Sequence, residues 1–289
     1  MNLKCSLIYG LFCCAGLCLA LPAFAQKSVY LEELTTQEVA AMVSHSTSKP
    51  STPSIVIIPI GGTEQNGPHM AIGKHNTRVK VLAGRIATSL QAANLPTIVA
   101  PVVSYVPEGG INPPTEHMKW PGTVSISEDT FKSMLLSAAR SFKQHGFTDI
   151  VLIGDHGGYQ SAMAAVETAF NKELNKDAKS GGNPGAKVHF IADYYRATAS
   201  TQSSYIAALR AKGLSDYEIG THAGSADTSL QLAIDPSTVK PEKFAESVKL
   251  GRSGGTLGDP KAASAALGQI GLDATVKMTV LAIQKAILK

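Results

Sequence analysis

Glu64, Asn66, His69 and His75 fall within twelve positions of each other, in the stretch IVIIPIGGTEQNGPHMAIGKHN that covers residues 55–76. Glutamate and histidine offer carboxylate oxygen and imidazole nitrogen, the donor types that hold divalent metals. A second stretch, Gly154-Asp155-His156-Gly157-Gly158, sets another histidine between glycines that let backbone approach closely. A third, THAGSADTS over residues 221–229, carries His222 and Asp227. Three acid-and-histidine segments in one chain imply a metal-assisted active site.

The runs in front of these residues must position them. Residues 55–60 are short, apolar and β-branched, as a strand buried on both faces should be, and they end in Gly61-Gly62. Residues 149–153 repeat the pattern. Both runs release their polar residues past a strand's C-terminal end, the edge where open α/β sheets bind ligands. Helical spacing predicts a helix over 77–93, with Val79, Leu82, Ala83, Ile86 and Leu90 on one face. A strand is expected over 96–103, and a helix over 127–145 that starts at Ser127 with Glu128 and Asp129 behind it. Downstream the pattern gives a helix over 161–175, an exposed loop over 176–185, and a strand over 188–192 that ends in Asp193-Tyr194-Tyr195. Helices follow over 200–212 and 226–234, and an amphipathic helix over 271–289 closes the chain. Upstream, Thr35 is the expected N-cap of a first helix, and residues 45–54 are Ser/Thr/Pro-rich and read as a loop. This alternation implies an α/β fold of three layers, αβα, around a mainly parallel sheet.

Residues 104–123 form a long connection stiffened by Pro107, Pro113, Pro114 and Pro121. Loops of such length are usually functional, and this one reads as a wall or lid over the site. Its chemical candidates are Glu116, His117 and Trp120, the tryptophan either contacting substrate or packing the lid down. His69 reads as a hydrogen-bonding residue behind the ligands that holds the metal loop. Asn66 either donates to substrate or caps the turn. His45, His145 and His189 read as solvated or structural. The glycine-rich stretch over 251–258 lacks a strand before and a helix after, which excludes a phosphate-binding loop.

Five segments, in order, resemble the creatininase (creatinine amidohydrolase) family. The family's patterns are roughly G-[ST]-x-E-Q-H-G-P-H, a T-D pair, E-H-x-x-[FW]-P-G-T, N-G-H-G-G-N and H-A-G-E-x-E-T-S. Here they stand as GGTEQNGPH, GKHN, EHMKWPGT, GDHGGY and HAGSADTS. The resemblance implies the same three-layer fold, often in hexamers, and two divalent metals held by a Glu, a His, a bridging Asp, a second His and a second acid. Glu64 and His156 match that set. Asn66 stands where the family has His, His75 where it has the bridging Asp, and Ser225 and Asp227 where it has the late acids. A neutral imidazole offers one lone pair and cannot bridge two ions as a carboxylate does. The expectation is therefore a site rebuilt around one metal, held by Glu64, His75 and His156 with a fourth position open. Zinc is the expected ion, or manganese if more water or carboxylate ligands join. Asp227 is left to a second, weaker site.

Residues 1–25 read as a signal peptide. Lys4 supplies the positive start, residues 7–21 the apolar stretch, and Ala23-Phe24-Ala25 the cleavage site, so that Gln26 begins the mature chain and 26–289 form one metal-hydrolase domain. The expected location is the periplasm or the outside of the cell. All four cysteines, Cys5, Cys13, Cys14 and Cys18, lie in that leader, so neither disulfides nor thiolate ligands are expected in the mature chain. Removing Lys4 takes the formal charge from +4 to +3, too small and dispersed to point to nucleic acid or a membrane surface. The expected partners are a small-molecule substrate and further copies of the chain.

The reaction these residues point to is hydrolysis of a non-peptide C–N bond, a cyclic amide first, by metal-activated water. His222 is the expected proton donor to the leaving nitrogen, and Asp227 is expected to orient His222 or bind water. A lactone or other ring-opening hydrolase is the alternative among enzymes. A non-catalytic exported binding protein with a decayed metal site is the alternative outside them.

Overall fold

The computed structural model describes residues 28–48, 52–179 and 185–288. The expected signal peptide lies outside the described residues. In chain order the helices are α1 (Thr36–Ser48), α2 (Lys74–Ala92), α3 (Glu128–Gln144), α4 (Gln160–Lys179), α5 (Asp193–Ala199), α6 (Ser204–Ala211), α7 (Asp216–Ile219), α8 (Ser225–Ile234), α9 (Phe244–Leu250) and α10 (Ala265–Ile287). The strands are β1 (Ile55–Ile60), β2 (Thr97–Val99), β3 (Asp149–Gly154) and β4 (Lys187–Phe190). They form one parallel sheet in the order β2-β1-β3-β4.

β1 and β3 are the two inner strands, in register from Ile55 opposite Asp149 to Ile60 opposite Gly154. Every residue of both is buried, which is why they read as unbroken apolar runs rather than alternating ones. Alternate side chains serve opposite faces. Ile55, Ile57, Val151 and Ile153 pack with Leu82, Ile86 and Leu90 of α2 and with α5, α6, α8 and α10. Val56, Ile58, Ile150 and Leu152 pack with Phe131 and Leu135 of α3 and Met163 and Phe170 of α4. Fully burying one such side chain is worth about 1.5–3 kcal/mol, so both strands are pinned in depth and register. The result is the expected αβα sandwich.

Local signals fix several element ends. Ser127 caps α3 by accepting from the Thr130 N–H at 3.1 Å. Thr35 and Glu38 pair reciprocally at the start of α1, with Thr35 N–H to Glu38 Oε2 at 2.7 Å and Glu38 N–H to Thr35 Oγ1 at 3.3 Å. Several boundaries differ from expectation, among them the closing helix, which starts at Ala265 rather than at residue 271. The helix α1 continues through residues 45–48, where a loop was expected, and α4 continues to Lys179. The strand expected over 96–103 is only Thr97–Val99. Pro101 has no N–H to give the ladder, and the chain rejoins β1 by a single bridge between Val103 and Ile60. The helix expected from residue 77 starts at Lys74, which places Lys74, His75 and Arg78 on its first turns.

Candidate metal centre and active site

The C-terminal ends of β1 and β3 open into a cavity of about 650 Å³. Its walls come from the start of α2, the 104–123 connection, the residues around His222 and the start of α8. Gly62 sits at φ +149° with Glu108 packed against its α-carbon, so a β-carbon there would strike the Glu108 carboxyl. This close approach brings the 104–123 wall down onto the β1 loop.

Glu64 is fully buried at the floor, and its two oxygens face different groups. Oε2 lies 3.1 Å from His117 Nε2 and 3.4 Å from His156 Nε2. Oε1 lies 2.7 Å from His75 Nε2 and 3.5 Å from Lys74 Nζ. Burial pushes the Glu64 pKa up, but the neighbouring His75 and Lys74 outweigh it and hold the carboxylate well below its usual range. Glu108, itself 2 % exposed, places Oε2 3.3 Å from His156 Nδ1. Burial, and then the Glu64 charge, raise the Glu108 pKa to about 9. Burial lowers His156 to about 3 and lowers His117 too, so both rings are neutral and carry the lone pair that a metal needs.

Donor atoms of Glu64, Glu108, His117 and His156 all lie within 4.8 Å of one another. Glu64 Oε2 and both Glu108 oxygens are buried with no hydrogen-bond partner. Unpaired buried carboxyl oxygens are costly, and a divalent cation among them would satisfy all three. Two carboxylates and two neutral imidazoles are a donor set for zinc, or for manganese. The residues present fit a metal ion.

That set differs from the sequence expectation at three places. His75 was expected as a ligand. Both of its ring nitrogens are instead engaged within the protein, Nε2 with Glu64 Oε1 and Nδ1 with Asp155 Oδ2 at 2.6 Å. An imidazole in place of a bridging carboxylate pairs with carboxylates on either side. His117 was expected to touch substrate or stand behind the ligands, and it joins the donor group. Glu108 was not singled out at all. The only sign of it was an acid between Pro107 and the pair Gly109-Gly110 in a connection already marked as the wall.

Asp227 was expected to orient His222 or bind water. Its Oδ1 accepts from Arg78 Nη1 at 2.8 Å, and its Oδ2 accepts from Lys74 and from the Ala223 N–H, the latter at 3.0 Å. Burial opposes ionisation of Asp227, but Lys74 and Arg78 hold its pKa well below the usual range. Arg78 also donates from Nε to Asp155 Oδ2 at 2.8 Å, and Asp155 is lowered against burial by Arg78 and His75. Tyr194, expected at a strand end, lies in α5 and donates from its hydroxyl to Asp155 Oδ1 at 3.0 Å.

His222 does line the cavity. Its Nε2 lies 3.0 Å from the Gln65 carbonyl oxygen, to which it donates when that nitrogen carries the hydrogen. Nδ1 is 3.7 Å from Glu64 Oε1. Burial first, then Lys74, lower the His222 pKa to about 4. The Gln65 amide nitrogen stands beside both His222 Nε2 and His117 Nδ1, at 3.1 and 3.3 Å.

Asn66 resolves to the turn-capping alternative, donating from Nδ2 to the carbonyls of Glu64 and Ala71 at 3.0 and 3.1 Å. His69 is buried between Thr228 Oγ1 and Ser247 Oγ at 3.0 and 2.7 Å, and it ties the metal loop to α8 and α9. Glu116 and Trp120 line the rim, Glu116 exposed and Trp120 half-buried.

The family model described as creatininase, creatinine amidohydrolase, matches residues 32–283. A mycofactocin precursor peptide peptidase of Mycolicibacterium smegmatis is 29 % identical over 232 residues, 74 % of this chain and 78 % of its own length. A creatinine amidohydrolase of Pseudomonas putida is 26 % identical over 222 residues, 76 % of this chain and 77 % of its own. Among solved structures, a creatininase with manganese superposes at TM-score 0.71 and 23 % identity, covering 91 % of this chain and all of that one.

Proposed function

The chain belongs to the creatininase family of amidohydrolases, and we propose on that premise that it hydrolyses a non-peptide C–N bond with one divalent metal. A cyclic amide is the substrate to try first. Glu64, His117 and His156 would hold the ion, with Glu108 as a further ligand or as the acceptor behind His156. Zinc suits this donor set best, and manganese is the second choice. The observation that carries the reading is the set of partnerless buried oxygens on Glu64 and Glu108 beside two neutral histidines.

An ion there would supply Lewis acidity toward a carbonyl oxygen and toward water. The remaining work falls to this chain's own groups. His222 is neutral, with Nε2 fixed on the Gln65 carbonyl and Nδ1 free toward the cavity. That atom takes a proton from the attacking water and returns it to the leaving nitrogen. His222 thus enters the cycle as a base, where the sequence had suggested an acid. His75, Lys74 and Arg78 keep Glu64, Asp155 and Asp227 ionised and in place. Trp120 and the rest of the 104–123 wall enclose the substrate and limit water.

The size of the cavity also admits an open-chain amide, and a peptide peptidase is among the relatives. The test panel therefore runs from cyclic amides through N-acyl compounds and short peptides, with lactones as the oxygen analogues. Hydrolysis lost on chelation and restored by one equivalent of zinc or manganese supports the reading. A panel untouched by the metal-loaded protein would favour a binding protein. Export through the leader and assembly into an oligomer belong to the same proposal. The N-terminal residue of the secreted chain and its mass in solution test them.

A further inference from the structure

Lys74 is the first residue of α2 and is 1 % exposed. The start of a helix is its positive end, and a cation there is disfavoured even on the surface. A buried ammonium at that place needs a reason. The reason available is anionic: Lys74 Nζ is hydrogen-bonded to Asp227 Oδ2 and lies 3.5 Å from Glu64 Oε1. His222 Nδ1 sits 3.7 Å from the same Glu64 oxygen. Two carboxylates thus meet at the Lys74 ammonium, with an imidazole beside one of them.

We propose that Lys74 is the resident second cation of this site, its ammonium neutralising Glu64 and Asp227 where a second divalent ion would otherwise be drawn. The proposal rests on the reading of the site as a metal centre. On the Glu64 Oε2 side, His117, His156 and Glu108 leave buried oxygens partnerless, and an ion can enter. On the Oε1 side every oxygen is already satisfied by the protein. Lys74 and Arg78 are the two permanent cations against Asp155, Asp227 and the Oε1 side of Glu64, and His75 is bonded between Glu64 and Asp155. A divalent ion added beside Lys74 would be an uncompensated charge in a dry place. With the ammonium gone, the same donors form a vacant, net-negative pocket. One lysine thereby sets the metal count and gives the cavity a fixed positive pole that cannot dissociate.

The test is metal content per chain by elemental mass spectrometry after equilibration with excess zinc and desalting. The proteins are the wild type, Lys74→Ala and the double variant Lys74→Ala/Asp227→Ala. The expected values are about one, about two and about one. Circular dichroism reports whether each is folded. A folded Lys74→Ala that stays at one ion overturns the proposal, and so does a wild type that takes two. Should Lys74→Ala fold only when zinc is present, recovery of a folded chain carrying two ions supports it. Failure to fold at any zinc concentration overturns it. A wild type that binds no zinc at all is a different failure, because it removes the metal reading itself.

Discussion

Glu108 gives the account its sharpest energetic consequence. Its carboxyl is buried beside Glu64 with neither oxygen hydrogen-bonded, and burial raises its pKa from the ordinary 4.5 to about 9. In the unfolded chain it ionises at an ordinary carboxylate pKa. The metal-free fold keeps it protonated, so the unfolded state binds fewer protons as pH rises. Stability from this group is therefore whole below about pH 4.5 and is lost as pH climbs toward 9. Between the two values the loss is about 1.4 kcal/mol per pH unit. From pH 5 to 8 that is a ceiling of about 4 kcal/mol, and sharing of the proton with Glu64 brings the expectation to about 2–4 kcal/mol. At roughly 2–4 °C per kcal/mol, the melting temperature of chelator-treated protein should fall by about 5–15 °C over that range. Glu108→Gln cannot ionise and should melt with a flatter profile. Zinc should flatten the wild-type profile, because it supplies the counter-charge. Thermal unfolding followed by circular dichroism between pH 5 and 8 measures all three. If metal-free wild type and Glu108→Gln run parallel, Glu108 is not held protonated and the argument for an ion beside it fails.

Three further outcomes follow from the same geometry. Asp155 and Asp227 are held below the usual carboxylate range by Lys74, Arg78 and His75 against their burial, so their contribution is present above pH 4 and is lost as pH falls; Asp227→Asn should shallow the acid limb of the stability profile and cost about 3–5 kcal/mol by leaving Lys74 and Arg78 underpaired. His222→Ala should keep its metal but lower kcat by about 10²–10⁴, since it removes proton transfer and no ligand; metal-loaded enzyme turning over at the wild-type rate would take His222 out of the mechanism. His69→Ala should cost about 1–3 kcal/mol by stranding the buried hydroxyls of Thr228 and Ser247, with metal content unchanged; loss of the ion in that variant would mean that His69 does more than tie the loop to α8 and α9.

Much of the scaffold could be read from the chain because its signals are local. β1 and β3 are unbroken apolar runs ended by glycine, and such runs have few competing readings. Ser127 and Thr35 announce helix starts by side-chain chemistry that acts over three residues. The start of α2 has no such mark: Gly73 caps it with no side-chain bond, and the helix was placed three residues late. That late start left Lys74 and His75 outside the helix, so their place one turn before Arg78 on the same element was hidden. Glu108 was hidden for another reason. Its partners lie 44 and 48 positions away at Glu64 and His156, and only the fold of the 104–123 wall brings them together. Asn66 and Asp227 stand at positions the family motifs mark, but Asp227 finds its partners far away in the chain, at Lys74 and Arg78.

The central claim is a single divalent ion bounded by Glu64 Oε2, His117 and His156 with Glu108 behind them. Anomalous diffraction at the zinc edge, from crystals of the zinc-loaded protein, tests it most directly. One peak per chain is expected inside that group, with His75 still bonded to Glu64 and Asp155 and with Lys74 still on Asp227. A peak on His75 Nε2, or a pair of peaks flanking Glu64, would contradict it.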